Sequence, residues 1–112
     1  MNILFVCTLN KARSVTAAKM YRRTPGIAVR SAGISDRSQH QLVEDDLAWA
    51  DRVITFESKH EKWIRETFTG DFPEIIDVGI PDHFTADAPE LVHELMEVLT
   101  PILGKPKISV NR

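Results

Sequence analysis

A cysteine, an arginine and a serine stand at a spacing suited to phosphoryl chemistry: Cys7 is followed, after five residues, by Arg13 and Ser14. A thiolate is a competent nucleophile for a covalent intermediate. The five residues between, Thr8, Leu9, Asn10, Lys11 and Ala12, span one tight turn around a phosphate-sized hole. Successive backbone N–H groups can point inward there as an anion nest. Arg13 can grip two oxygens in a bidentate fork, which a lysine cannot do. Ser14 can donate its hydroxyl to the sulfur and favour the thiolate. A lone cysteine beside a strand is usually a small buried hydrophobe; the Arg-Ser that follows at this spacing reverses that reading. The loop has no Gly-Lys-Ser/Thr and is no Walker P-loop. Such chemistry also needs an acid to protonate the leaving group. Asp82, after Pro81 and ahead of the last helix, is the candidate. An N-cap or turn aspartate explains it equally well.

The elements around these residues must deliver them to one place. Ile3 to Val6 is a buried strand running into Cys7, and a helix follows from Ser14 to Arg23, with Ser14 placed to cap it. Thr24-Pro25-Gly26 stops that helix. Further strands are expected at Ile27 to Ser31, Arg52 to Phe56 and Glu74 to Val78. Helices are expected at Val43 to Ala50, at Ser58 to Phe68 with Ser58 and Glu61 as a capping box, and from Pro89 until Pro101 kinks or ends it. Strands alternating with helices imply an α/β fold in a single domain, with a four-stranded parallel sheet and helices on both faces. The phosphate-binding loop follows the first strand. The Cys7 loop and the Asp82 loop both follow strands, so both belong at the same edge of the sheet, where open α/β sheets bind ligands. A helix start there offers free N–H groups and partial positive charge, which suit phosphate and lower the pKa of a thiol held in that field.

The 112 residues, 43% hydrophobic and 27% charged, suit one core. The domain is expected over residues 1–104, with 105–112 a flexible polar tail. A formal net charge of −2 gives no basic character that would argue for nucleic acid. No apolar run approaches a membrane span, and Met1 leads straight into the first strand without a signal-like segment. A single cysteine excludes an internal disulfide and fits a reducing cytoplasm. His40, His60, His83 and His93 lack the close spacing of a metal site and read as surface histidines. Trp49 and Trp63 read as packing residues. Glu57 either faces the cleft or is simply a helix-start acid.

The chain resembles the low-molecular-weight protein tyrosine phosphatases, in particular a short bacterial branch of predicted phosphatases, over nearly all of Asn2 to Leu103. The strongest part is Ile3 to Ser14, ILFVCTLNKARS, which is similar to the family's strand and Cys-x-x-Asn-x-x-Arg-Ser loop. By that resemblance Cys7 is the nucleophile, Arg13 and the loop amides of Thr8 to Ala12 bind phosphate, and Asp82 is the general acid. Asn10 holds the loop in shape, Ser14 stabilises the thiolate, and Ser31 of Ser31-Ala32-Gly33 braces the asparagine. Phe84 falls where the family places an aromatic that flanks the substrate ring. The resemblance implies a phosphomonoester hydrolase, a protein tyrosine phosphatase working through a cysteinyl-phosphate intermediate. It implies no cofactor or metal, a phosphorylated protein or small aryl phosphate as substrate, no nucleic-acid or membrane partner, a monomer or weak dimer, and a cytoplasmic location. Two alternatives stay open: an arsenate reductase that hands its adduct to an external thiol, and a non-catalytic module that reads phosphate. The chain departs from the family pattern in several places. Leu9 replaces a glycine, Lys11 an apolar residue, and His83 the proline of Asp-Pro. The stretch from Gly33 to Val43 is short, and Arg37 and His40 fall near a His and an Arg that brace the loop.

Overall fold

A computed structural model describes residues 1–107 of the chain. The element order is β1 (Asn2–Cys7), α1 (Arg13–Tyr21), β2 (Ala28–Gly33), α2 (Glu44–Trp49), β3 (Arg52–Thr55), α3 (Ser58–Thr67), β4 (Glu74–Asp77) and α4 (Pro89–Leu103). The four strands form one parallel sheet in the order β2-β1-β3-β4. No described helix is long and apolar enough to cross a membrane.

β1 is central because its apolar residues are continuous, as a strand buried on both faces requires. Its alternation splits the core in two. Ile3, Phe5 and Cys7 join Tyr21, Leu91, Leu95 and Leu99 on the face covered by α1 and α4. Leu4 and Val6 join Leu47, Val53 and Ile64 under α2 and α3, with Trp49 and Trp63 packed half-buried beside them. Each fully buried leucine or isoleucine contributes about 1.5–3 kcal/mol, which fixes the register of β1 and so aims Cys7.

The strand order reverses at β1, with β2 on one side and β3 on the other. Ligand crevices open at such a point, beyond the carboxyl ends of the strands. The ladder between β3 and the next segment continues past β4 through Val78 N–H to Thr55 O (2.9 Å) and Ile80 N–H to Phe56 O (2.9 Å). That extension carries the Asp82 segment to the same edge as the Cys7 loop.

Two local expectations are corrected, and a third, that Pro101 kinks or ends the last helix, loses one of its alternatives. Ser14 does not cap α1: the N-cap is Ala12, without a side-chain cap, and the Ser14 hydroxyl points into the loop instead. The N-cap of α3 is Glu57 rather than Ser58, and the side chain reaching back to it is His60 rather than Glu61. Pro101 does not end α4, which runs on to Leu103. Its missing donor falls in the last turn, where Gly104 N–H closes on Thr100 O (2.9 Å) and the Thr100 hydroxyl donates to Met96 O (2.6 Å). Beyond α4 the chain is tied back, with Tyr21 Oη donating to Gly104 O and Lys107 N–H to Thr24 Oγ1. The rest of the expected tail, residues 108–112, lies outside the described residues.

Candidate active site

The Cys7 loop is built from inside the core outward. Cys7 (3% exposed), Asn10 (5%), Arg13 (2%) and Ser14 (0%) are all buried. Asn10 takes φ 51°, a left-handed conformation that asparagine tolerates better than most residues. Leu9, in the family's glycine position, needs no positive φ, and its side chain stands exposed at the rim. Gly33 backs the loop. A Cβ there would lie 2.7 Å from Thr8 O and 2.9 Å from Asn10 N, so only glycine lets β2 approach this closely. Ile34 N–H and Ser35 N–H donate to Cys7 O and Thr8 O and hold the loop from that side. The uncapped first turn of α1 leaves its N–H groups for an anion.

Within the loop, Cys7 Sγ lies 3.0 Å from Ser14 Oγ, and Ser14 donates to Asn10 Oδ1 at 2.8 Å. Ser31, expected to brace Asn10, makes no such hydrogen bond among the described residues; it sits in β2 opposite Phe5. Arg37 and His40 do not brace the loop either. His40 pairs with Asp46 (2.8 Å), which also receives Val43 N–H and Arg30, and this cluster closes the short 34–43 segment on α2.

Arg13 is fixed by groups that follow β3 and β4. One terminal nitrogen, Nη1, donates to Glu57 Oε2 (2.7 Å) and to Ile80 O (2.8 Å). The other, Nη2, lies 3.8 Å from Asp82 Oδ1. The Nε–Nη2 edge is thus left to meet two oxygens of an anion side by side. Burial pushes the Glu57 carboxyl up, but the hydrogen bond and charge of Arg13, helped by Lys59 and His60, leave it below its usual range. Glu57 therefore stays ionised opposite the guanidinium.

Behind the loop sits His60, fully buried, which corrects its reading as a surface histidine. Its Nε2 lies 3.0 Å from Thr8 Oγ1, and its Nδ1 accepts Phe56 N–H (3.2 Å) and Glu57 N–H (3.1 Å). Burial, with the nearby Arg13 cation, lowers its pKa to about 4.

Cys7, Leu9, Lys11, Ala12, Arg13, Asp82 and Phe84 line one cleft of about 330 Å³. Thr85 and Ala86 line it too, and no sequence signal marked them. Thr8 and Asn10 stand behind that lining. Asp82 is open to solvent, while Phe84 is anchored on the α1/α4 core and stacks on His83 at 4.2 Å. The far end of this loop is pinned by Asp87, which takes φ 62°, donates its N–H to Thr16 Oγ1 and pairs with Lys19. Among the described residues no three His, Cys, Asp or Glu side chains gather as a metal centre would need.

No family model matches the chain. It is similar to a curated protein-arginine-phosphatase of Geobacillus stearothermophilus, 33% identical over 90 aligned positions that take in 59% of this chain and 61% of the relative. The chain thus spans about three fifths of that relative's length. Among solved structures, the YwlE arginine phosphatase of Geobacillus stearothermophilus superposes with a TM-score of 0.66 at 26% identity, over 88% of this chain and 86% of that one. SP-PTP, a low molecular weight protein tyrosine phosphatase from Streptococcus pyogenes, superposes with a TM-score of 0.72 at 16% identity, over 91% and 93%. Over most of its length the chain thus shares the fold of these low molecular weight phosphatases.

Proposed function

We propose that this chain is a cysteine-dependent phosphatase of phosphorylated proteins and that phosphotyrosine is its substrate. The observation that carries the reading is the cleft itself: a sulfur at its foot beside a buried, oriented guanidinium, faced across the opening by a carboxyl group and an aromatic ring.

The reaction runs in two halves. The Cys7 thiolate attacks phosphorus, the S–P bond forms as the P–O bond to the tyrosine breaks, and Asp82 gives its proton to the departing oxygen. Asp82, now a carboxylate, takes a proton from a water that attacks the phosphocysteine. Inorganic phosphate leaves and the thiolate returns. Loop N–H groups and the Nε–Nη2 edge of Arg13 follow the equatorial oxygens as they spread in the transition state. Ser14 has one hydroxyl proton and two neighbours. With the thiol, S–H donates to Ser14 Oγ and Ser14 donates to Asn10 Oδ1. With the thiolate, Ser14 turns its proton to sulfur and Asn10 presents its NH₂ to Ser14 Oγ.

A second reading, a phosphoarginine phosphatase, is favoured by the likeness to the arginine phosphatase of Geobacillus stearothermophilus. Two features of the cleft favour tyrosine. Leu9, Ala12 and the Phe84 ring give it apolar walls, which suit an aryl group. Lys11, on the rim without an ion-pair partner among the described residues, sets a cation beside Arg13 and repels a guanidinium. Turnover of matched phosphotyrosine and phosphoarginine peptides decides between them: the expected result is a higher kcat/KM on phosphotyrosine. A preference for phosphoarginine overturns the substrate assignment. Arsenate reduction with an external thiol, in the absence of phosphatase turnover, overturns the reaction assignment.

A further inference from the structure

We propose that His60 is a positioning residue that joins the two halves of the anion site, holding Thr8 of the Cys7 loop through Nε2 and the Glu57 clamp on Arg13 through Nδ1; the proposal deepens the phosphatase reading and rests on it. The imidazole is fully buried at the start of α3, and every polar atom of the ring is used. Nδ1 accepts two backbone N–H groups, from Phe56 at 3.2 Å and Glu57 at 3.1 Å. A ring nitrogen that accepts carries no proton, so the neutral ring has its proton on Nε2. That proton points at Thr8 Oγ1, 3.0 Å away and 52 residues distant in sequence.

The consequence is geometric. Thr8 follows the nucleophile directly, and its backbone lies in the nest that would hold the oxyanion. Glu57 carries the carboxylate that fixes Arg13 Nη1 at 2.7 Å. One planar ring therefore sets the distance between the loop amides and the guanidinium. Those are the two groups that must close on opposite sides of the same phosphoryl oxygens. A protonated ring cannot do this, because imidazolium has no lone pair for the Phe56 and Glu57 donors. Its neighbours keep it neutral: Arg13 from α1 and Lys59 on α3 oppose a second cation, and burial exceeds the opposing pull of Glu57 and Asp82.

The test combines His60→Leu, which keeps bulk and removes both hydrogen-bonding nitrogens, with Thr8→Val, which keeps shape and removes the hydroxyl. Inorganic phosphate affinity is read by calorimetry and kcat/KM with p-nitrophenyl phosphate. Each single change is expected to weaken phosphate binding about tenfold, and the double variant no more than His60→Leu alone, because both break one linkage. Independent, multiplying losses overturn the proposal, as does undiminished phosphate affinity in His60→Leu. Long-range ¹H–¹⁵N spectra of the native protein and of Thr8→Val keep the test open if His60→Leu does not fold. The expected signature is an Nε2–H tautomer at neutral pH whose ring proton exchanges slowly and becomes fast in Thr8→Val. An Nδ1–H tautomer, or a ring proton indifferent to Thr8, contradicts it. A wild-type protein that binds phosphate and shows the coupling but hydrolyses no ester removes the phosphatase reading and leaves the His60 linkage standing. Hydrolysis without coupling removes only the linkage.

Discussion

The loop that holds Cys7 and the loop that holds Asp82 face each other across one cleft, yet they are made in opposite ways. The first is sunk in the core. Cys7, Asn10, Arg13 and Ser14 are each no more than 5% exposed, and each is tied to a neighbour. The second lies on the surface, with Asp82 58% exposed and its one contact to Arg13 at 3.8 Å. It is hydrogen-bonded at its ends, by Ile80 N–H on Phe56 O and by Asp87 on Thr16 and Lys19, and between them Phe84 packs on the core. The comparison separates two tasks. Binding a phosphoryl group demands fixed donors at fixed distances, and burial supplies the rigidity. Admitting and protonating a leaving group on a large substrate demands an open, adjustable rim. Damage to the core loop should therefore be severe on every substrate, and damage to the rim should depend on the leaving group.

The most severe change is expected from Cys7→Ser. Turnover should fall on the order of 10⁴-fold or more, while inorganic phosphate still binds, because the amides and Arg13 remain. Steady-state assays beside calorimetric titration check both halves. Next comes Arg13→Lys, which keeps the charge and loses the fork. Its kcat/KM should drop about 10²–10³-fold, equally for aryl and alkyl phosphates. A near-normal lysine variant would mean that the oriented edge described above is not used.

The third expectation concerns stability. The unfolded His60 ring takes a proton near its usual 6.5 and the folded ring only near 4. Between those values the unfolded chain binds more protons, so stability falls as pH drops through that window, by about 3 kcal/mol in all, and is unaffected by His60 above it. Glu57, lowered from its usual 4.5, adds a loss of the same sign at more acid pH. Denaturant unfolding across this range checks the slope. Phe84 carries no titratable group, so the same pH series in Phe84→Ala should keep the slope unchanged.

The mildest and most selective effect belongs to the rim. Asp82→Asn should slow phosphotyrosine by about 100-fold and p-nitrophenyl phosphate clearly less, since p-nitrophenolate leaves without much help. Phosphate affinity should stay close to wild type. Equal losses on both substrates would place Asp82 in the cradle instead.

The sequence revealed the core loop better than its supports, for physical reasons. The continuous apolar run of β1 and the Cys-x5-Arg-Ser that follows lie within a dozen residues of each other, so local pattern carried them. The four strands and four helices were legible in the same way, to within a residue or two at most ends. The cap of α3 was misplaced by one residue, because Ser58 and Glu61 fit a capping box as well as Glu57 and His60 do. What decides between them is the demand of Arg13 for a carboxylate, a contact 44 residues away. His60 was invisible as a buried group because a histidine on a polar helix face has no periodic signature. Its side-chain partner Thr8 lies 52 residues away in sequence. The Ile80 carbonyl that receives Arg13 is backbone and has no side-chain signal at all. Thr85 and Ala86 carry no chemistry of their own and enter the cleft only because the loop turns there.

The central claim is that Cys7 forms a covalent phosphoryl adduct during turnover. Rapid denaturation of the wild-type protein while it is consuming a phosphotyrosine peptide, followed by peptide mass spectrometry, tests it directly. A phosphoryl group is expected on Cys7 alone, more abundant in Asp82→Asn with p-nitrophenyl phosphate if that variant slows the water-dependent second half. Sustained turnover with an unmodified Cys7 peptide, or with the phosphoryl group on another residue, would contradict it.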